Sequence, residues 1–311
     1  MIIENNCVPL QPEFKSKTTM GKYLNPKADL TFKKIFGEHP NLVISLLNAL
    51  LPLKGDERVE SIEYWPAEKI PRRTEAEKDS IVDVCCRDNK KREFIVEMQM
   101  TWTASFKKRV LLNASKAYVA QSEQGQVYQL LQPVYALNFV NAPMNIDAKG
   151  YYHHYQLVHH QNSNEVIDGL QLVFIELPKF QPQSFSERKM QVLWLRFLTE
   201  INEHTLEVPA ELLENPEVSE ALRILEVAAY TPAEMRAYDK FWDAISTRKT
   251  EIYDYELKLE QAKAETEQAK AEVERLRQDK IDTVRKLKAI NLSTTQIADI
   301  TGLAIEQIEA M

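Results

Sequence analysis

Glycine, cysteine and long apolar runs are all scarce in this sequence. Seven glycines are spread over 311 residues, and no two stand close enough for a GxGxxG motif or a P-loop, which argues against a nucleotide-binding cradle. No GxSxG motif is present, and no cysteine stands in an obvious nucleophile motif. Adjacent Cys85 and Cys86 point to opposite faces of a strand, so the three cysteines build no disulfide framework. No apolar run is long enough to span a bilayer.

The remaining composition indicates a folded cytoplasmic protein. Apolar residues make up 44% of the chain, which is enough to fill a core. The first residues include an early acid and no basic n-region, so we expect no signal peptide. Reduced cysteines fit a cytoplasmic compartment. We therefore expect a cytoplasmic protein without a membrane partner.

Charge is distributed unevenly along the chain. The net charge of −7 is unusual for a protein that binds nucleic acid, but residues 21–140 hold 18 Lys and Arg against 15 Asp and Glu. Contact with phosphate requires local basic clusters rather than a basic protein overall. Alternatively, each cluster is an ordinary solvated face. The clusters are Lys33-Lys34, Arg72-Arg73, Lys90–Arg92 and Lys107–Arg109.

The apolar pattern divides the chain into five segments. Asn25 and Pro26 predict the start of a first helix, which Gly37 can end, and a second buried helix stops at Pro52. Amphipathic stretches at 188–203 and 216–250 predict further helices, with a break at Pro232. The segments are a flexible arm at 1–20, an α/β domain at 21–180, a helical extension at 181–250, a coiled coil at 251–280 and a helix-turn-helix-like tail at 281–311.

A β-hairpin is the most informative part of the α/β domain. Residues 80–87 and 92–100 predict two strands, with Asp83 on the first and with Glu97 and Gln99 on one face of the second. A three-residue loop, Asn89 to Lys91, places Asp83 opposite Glu97. A longer odd-numbered loop fits too, whereas an even-numbered loop turns Asp83 away.

Further strands and a helix complete this domain. A long helix is predicted over 105–123, ended by Gly125, and a buried strand over 134–140. Two more strands, 151–158 and 170–177, flank a polar turn at 161–164.

Two buried carboxylates side by side predict a metal site. Apolar neighbours surround both Asp83 and Glu97, so their charges need a compensating cation. Hard oxygen ligands suit Mg²⁺ or Mn²⁺, which can activate water at a phosphodiester. From spacing alone, two surface carboxylates on an edge hairpin are an equal alternative. The histidine pairs at 153–154 and 159–160 lack the spacing of a zinc site.

The hairpin resembles the PD-(D/E)XK nucleases, in which an acid on one strand precedes Glu or Asp, any residue and Lys on the next. More specifically, the chain resembles the recombination-promoting nuclease and putative transposase family over most of residues 21–240. The matching positions are Asp29–Gly37, Asp83, Glu97–Gln99, Phe106, Arg109, Tyr118, Gly125, Tyr128, Pro133-Val134 and Phe174–Lys179.

This resemblance implies a restriction-endonuclease-like core, in which helices flank a mixed central sheet. It also implies that the protein is a Mg²⁺- or Mn²⁺-dependent DNA endonuclease that acts in DNA mobility, recombination or defence. Asp83 and Glu97 would bind the metal, and Asp29 would complete the acidic cluster unless it forms an i,i+4 pair with Lys33. Gln99 stands where the superfamily has Lys, so Lys33 could supply the missing charge. The alternative is a catalytically decayed DNA-binding or regulatory protein.

Two further matched residues lie on the long helix. Arg109 and Tyr118 are nine positions apart, so they cannot both face one metal. Packing or phosphate contact is favoured for each of them over catalysis.

A heptad pattern and a small helical segment end the chain. The heptad predicts a coiled coil and hence a homodimer, with a single solvated helix as the alternative. In the tail, three short helices suit a helix-turn-helix. The few cations there favour dimer or partner contact over sequence-specific DNA reading. The heptad positions are Tyr255, Leu259, Ala262, Thr266, Ala269, Val273 and Leu276.

We expect the full chain to be at least a dimer in solution, because the heptad positions form a continuous seam. Ala and Thr in that seam bury little area, so the affinity of the seam alone should be modest. Light scattering on the full chain and on a chain ending near residue 250 would measure this. A monomeric full-length protein at micromolar concentration would contradict the prediction.

Overall fold

The computed structural model describes residues 22–65, 82–122, 127–182 and 189–310. The predicted arm at 1–20, the basic pair Arg72-Arg73 and the helix-ending Gly125 lie outside the described residues.

Two helices open the described chain, α1 (Asp29–Glu38) and α2 (Pro40–Leu50). The predicted helix start at Asn25 was wrong. Asn25 instead forms a turn, in which its Oδ1 accepts a hydrogen bond from the Lys27 N–H at 3.1 Å and its carbonyl accepts one from the Thr31 hydroxyl. An Asn side chain that bonds the backbone two residues on is a turn signal that competes with helix capping.

Six strands of the described chain form one mixed sheet in the order β1-β2-β3-β4-β6-β5. Neighbours pair antiparallel from β1 to β3, parallel from β3 through β4 to β6, and antiparallel between β6 and β5. Helix α3 (Ala104–Ala120) connects β3 to β4, as a parallel pair requires. The strands are β1 (Ile62–Tyr64), β2 (Val84–Asp88), β3 (Glu93–Gln99), β4 (Val134–Val140), β5 (Tyr152–His159) and β6 (Asn162–Glu176).

The β2–β3 hairpin has the predicted register. Val84 pairs with Val96 and Arg87 with Glu93, around a loop that contains Lys91 in the left-handed region at φ 63°. The hairpin between β5 and β6 differs from the prediction. The predicted turn at 161–164 is shorter in the structure, because β6 begins at Asn162 and not at residue 170.

Two apolar clusters cover the two faces of the sheet. Alternate residues of each strand face opposite clusters, as the pleat requires. On one face lie α1, α2, α4 (Lys189–Glu200) and α6 (Pro216–Ile224); α3 lies on the other. Glu97 and Gln99 point to the α3 face because they alternate with Val96, which faces α1.

The chain folds as two compact units that divide between Ile245 and Ser246. Helix α5 (Ala210–Glu214) belongs to the first unit, and α7 (Pro232–Ala289) begins, as predicted, at Pro232. In the second unit, α8 (Thr294–Thr301) and α9 (Ile305–Glu309) follow α7. The Ser293 side chain caps α8, and Gly302 ends it in the left-handed conformation, as helix-ending glycines commonly do.

A very small core holds the second unit together. Val284, Ile297 and Ile308, one from each of its three helices, are fully buried against one another. Among the described residues, no helix is both long and apolar enough to cross a membrane.

We expect Phe32→Ala to lower the free energy of unfolding by about 3–5 kcal/mol. Phe32 is fully buried, with its ring 4.9 Å from that of Phe36 and 6.1 Å from that of Phe139, so truncation leaves a cavity between α1 and the sheet. Denaturant unfolding would measure the loss. Leu206→Ala is the control, since Leu206 is 92% exposed; equal losses in both variants would refute the assigned packing.

Candidate active site

The candidate residues lie at the edge of the sheet where three parallel strands end. Gln99, Val140 and Glu176 are neighbours in register at the carboxyl ends of β3, β4 and β6. Ligands commonly bind at this edge in open α/β sheets, because the strands stop there and the loops diverge.

Asp83 immediately precedes β2 and extends the hairpin to this edge. Its Oδ2 accepts a hydrogen bond of 2.6 Å from the Met98 N–H. Because Val84 pairs with Val96, the same register places Asp83 beside Glu97. Its side chain is 18% exposed, so this carboxylate is largely withdrawn from water.

Glu97 is held by two residues of α3. Its Oε1 accepts a hydrogen bond of 3.0 Å from Asn113 Nδ2, and its Oε2 lies 3.3 Å from Arg109 Nη2. Arg109 and Asn113 are four residues apart, so they share one face of the helix. The site thus depends on α3 as well as on the hairpin.

Gln99 is fixed at both ends of its amide. Its Oε1 accepts a hydrogen bond of 2.8 Å from Arg109 Nη2, and its Nε2 donates one of 2.7 Å to the Thr101 carbonyl. Arg109 therefore bridges Gln99 and Glu97, two positions apart on the same face of β3.

Lys33 lies on the Asp83 side of the site. Its Nζ is 2.6 Å from Asp29 Oδ1 and 3.8 Å from Asp83 Oδ1. The contact with Asp29 is the i,i+4 pair that the sequence offered as the alternative for this residue. The assignment of Asp29 as a third metal ligand stays a prediction.

Burial dominates the electrostatics of the two inner carboxylates. It raises the pKa of Asp83 from 3.8 to about 7; the Met98 N–H and Lys33 oppose the rise, and Asp29 and Glu97 add to it. Burial also raises the pKa of Glu97, against Arg109 and Asn113. A bound cation would therefore stabilise the ionised forms of both carboxyl groups.

The donor set fits a hard divalent cation. Asp83 and Glu97 offer carboxylate oxygens, the ligands that Mg²⁺ prefers, and leave room for water and phosphate oxygens. Within the described residues, no group of three His, Cys, Asp or Glu side chains is arranged to hold a metal ion. The two carboxylates thus form a pair, which a substrate and water would have to complete.

Other residues singled out in the sequence have partners other than Asp83 and Glu97. His153 contacts Glu176, and His154 contacts Gln171. Tyr118 packs against Gly169, so it does not share the surroundings of Arg109, as the helical spacing predicted. Both cysteines of the described chain, Cys85 and Cys86, are free and buried.

The sequence interpretation missed Asn113. Its signal was its position four residues after Arg109, on the helix that follows the strand bearing Glu97. That signal is weak, because buried asparagines have many structural functions.

A carboxylate just before one strand, beside a second on the neighbouring strand of a mixed sheet flanked by helices, is consistent with the PD-(D/E)XK fold. The model of the family described as PD-(D/E)XK nuclease family transposase matches residues 26–262, and the chain belongs to this family. The resemblance inferred from the motifs is thereby confirmed. No curated protein and no solved structure matches the chain.

We expect Asp83→Asn to stabilise the metal-free protein at about pH 8 and to change its stability little at about pH 4. The folded protein keeps the Asp83 proton up to about pH 7, whereas the ordinary pKa is 3.8. Wild-type stability is therefore lost as pH rises through that window, and Asn, which also accepts from Met98, avoids the loss. The gain is at most about 4.5 kcal/mol, at about 1.4 kcal/mol per pKa unit.

Urea unfolding in EDTA across that pH range would measure the gain. Glu63→Gln, which removes an exposed carboxylate from the same sheet, is the control and should show no such gain. Adding Mg²⁺ should stabilise the wild type more than Asp83→Asn. A variant less stable than the wild type at every pH would overturn the electrostatic assignment.

Proposed function

We propose that the protein is a metal-dependent DNA endonuclease that hydrolyses phosphodiester bonds in DNA mobility, recombination or defence. The observation that supports this most is the Asp83–Glu97 pair, because two adjacent carboxylates largely withdrawn from water, with raised pKa values, destabilise a protein unless a cation joins them. Membership of the nuclease family agrees with it.

Each residue of the candidate site has a distinct role in the proposed reaction. Asp83 and Glu97 hold Mg²⁺ or Mn²⁺, which supplies an activated water and neutralises charge on the phosphodiester when bound. Gln99 orients water with its amide, and Lys33 balances the charge of Asp83 and Asp29. Asn113 keeps the Glu97 carboxylate turned towards the edge of the sheet.

DNA is the proposed partner, and the protein is proposed to act as a homodimer. Lys108 is an exposed cation on α3, one residue from Arg109, and is available to the DNA backbone. The heptad positions Tyr255, Val273 and Leu276 are 69, 66 and 49% exposed in the single chain. Apolar side chains aligned along a helix and left uncovered support self-association through this seam.

The second candidate is a catalytically decayed DNA-binding or regulatory protein. Gln99 favours it, because glutamine brings no charge to the position where the superfamily has lysine. The tail helices α8 and α9 would then make DNA or partner contacts. Binding of DNA without metal-dependent cutting separates this candidate from the first.

We expect Glu97→Gln to lower Mg²⁺-dependent nicking of supercoiled plasmid by about 100-fold or more, because several kcal/mol of charge stabilisation depend on the bound ion. Gln keeps the shape of the side chain and its bond from Asn113, so the fold should survive. Glu63→Gln is the control, since it removes an exposed glutamate from β1. Nicking by Glu97→Gln at the wild-type rate would exclude Glu97 from the active site.

A further inference from the structure

Arg109 presents unused hydrogen-bond donors beside the carboxylate pair. Its Nη2 contacts both Glu97 Oε2 and Gln99 Oε1, which uses the two hydrogens of that nitrogen. In the described part of the chain, neither Nε nor Nη1 has an acceptor. Since the side chain is 52% exposed, three N–H donors of the guanidinium remain open to a ligand.

The other cation at the site is less available. Lys33 is shared between Asp29 and Asp83, so two carboxylates offset its single charge. Arg109 also faces one carboxylate, Glu97, but its second partner is the neutral amide of Gln99. The side of the site where the superfamily has lysine therefore carries a guanidinium from α3 instead.

We propose that Arg109 is a catalytic residue that binds the phosphodiester being cut and supplies the positive charge that Gln99 lacks. This inference rests on the proposed nuclease function and deepens it. The open donors lie on Nε and Nη1, so Arg109 can donate separate charge-assisted hydrogen bonds to phosphate oxygens. Gln99 then has a positioning function, because its amide, held by Thr101, fixes Nη2 and so the plane of the guanidinium.

The chemistry needs no further reactant. A water oxygen bonds to phosphorus as the bond to the leaving sugar oxygen breaks; the water releases a proton to solvent, and the leaving oxygen takes one from solvent. Arg109 remains protonated throughout and stabilises the charge that spreads over the phosphoryl oxygens.

The test is single-turnover cutting of a labelled DNA duplex in Mg²⁺ by the full-length protein. We expect Arg109→Met to lower the saturating rate by about 100- to 1000-fold, as removal of one electrostatic donor does elsewhere. Its DNA affinity should fall much less. Lys240→Met removes an exposed charge from α7, away from the site, and should cut at close to the wild-type rate.

Rescue distinguishes a catalytic charge from a structural contact. Gln99→Lys brings a lysine to the strand position, so the double variant Gln99→Lys with Arg109→Met should regain at least about tenfold over Arg109→Met, a non-additive result in a double-mutant cycle. A structural function for Arg109 predicts no recovery. Thermal unfolding of each variant establishes that the fold is intact.

Two outcomes would overturn the inference. The first is wild-type cutting by Arg109→Met; the second is loss of cutting by Arg109→Met without recovery in the double variant. If Arg109→Met does not fold, Arg109→Lys is the test variant. It keeps the charge and should therefore retain most of the cutting. A folded but inactive Arg109→Lys counts against the proposal.

Failure of the nuclease function itself gives a different pattern. If the wild type cuts no DNA, phosphate binding by Arg109 is tested through the affinity of each variant for the same duplex in Ca²⁺. A larger loss of affinity in Arg109→Met than in Lys240→Met supports phosphate binding at this site. Equal losses, or a wild type that binds no DNA, overturn it.

Discussion

The withdrawal of two neighbouring carboxylates from most of the solvent is the constraint on which the rest of the site depends. An ionised carboxylate loses much of its hydration when it is buried, and a second one nearby adds repulsion. The chain offsets this cost for Asp83 with the Met98 N–H and Lys33, and for Glu97 with Asn113 and Arg109. The compensation is incomplete, since the pKa of both carboxyl groups stays raised. An incomplete balance of this kind leaves the pair receptive to a cation.

Much of this arrangement could be predicted from the sequence because it is local. The hairpin follows from alternating strands around a short polar loop, and its register follows from the loop length. That register alone brings Asp83 and Glu97 together, although they are 14 positions apart. The i,i+4 contact of Asp29 with Lys33 is equally local. The helix start failed because the Asn25 side chain had two hydrogen-bonding options, and only tertiary packing selects between them.

The contacts made by α3 could not be predicted in the same way. Arg109 and Asn113 reach Glu97 because α3 packs on this face of the sheet against β4 and β6, and helical spacing does not determine that placement. Spacing correctly separated Arg109 from Tyr118, but it gave no indication of which of them faces the carboxylates. The bridge from Arg109 to Gln99 therefore became visible only in three dimensions, although Gln99 itself was recognised as a departure from lysine.

Glu176, a third carboxylate at the same edge of the sheet, shows that burial alone does not distinguish a site from a structural contact. It is fully buried at the end of β6, yet its pKa is lowered: burial would raise it, but donors from Lys179, the Met144 N–H and His153 outweigh that effect. Lys179 also donates to the carbonyls of Asn145 and Ala148, so Glu176 ties a loop to the sheet. A carboxylate so fully compensated gains little from a metal ion. Asp83 and Glu97, whose donors leave the pKa raised, would gain much more, and this difference in electrostatic balance is the physical reason for proposing the chemistry at this pair of carboxylates and not at Glu176.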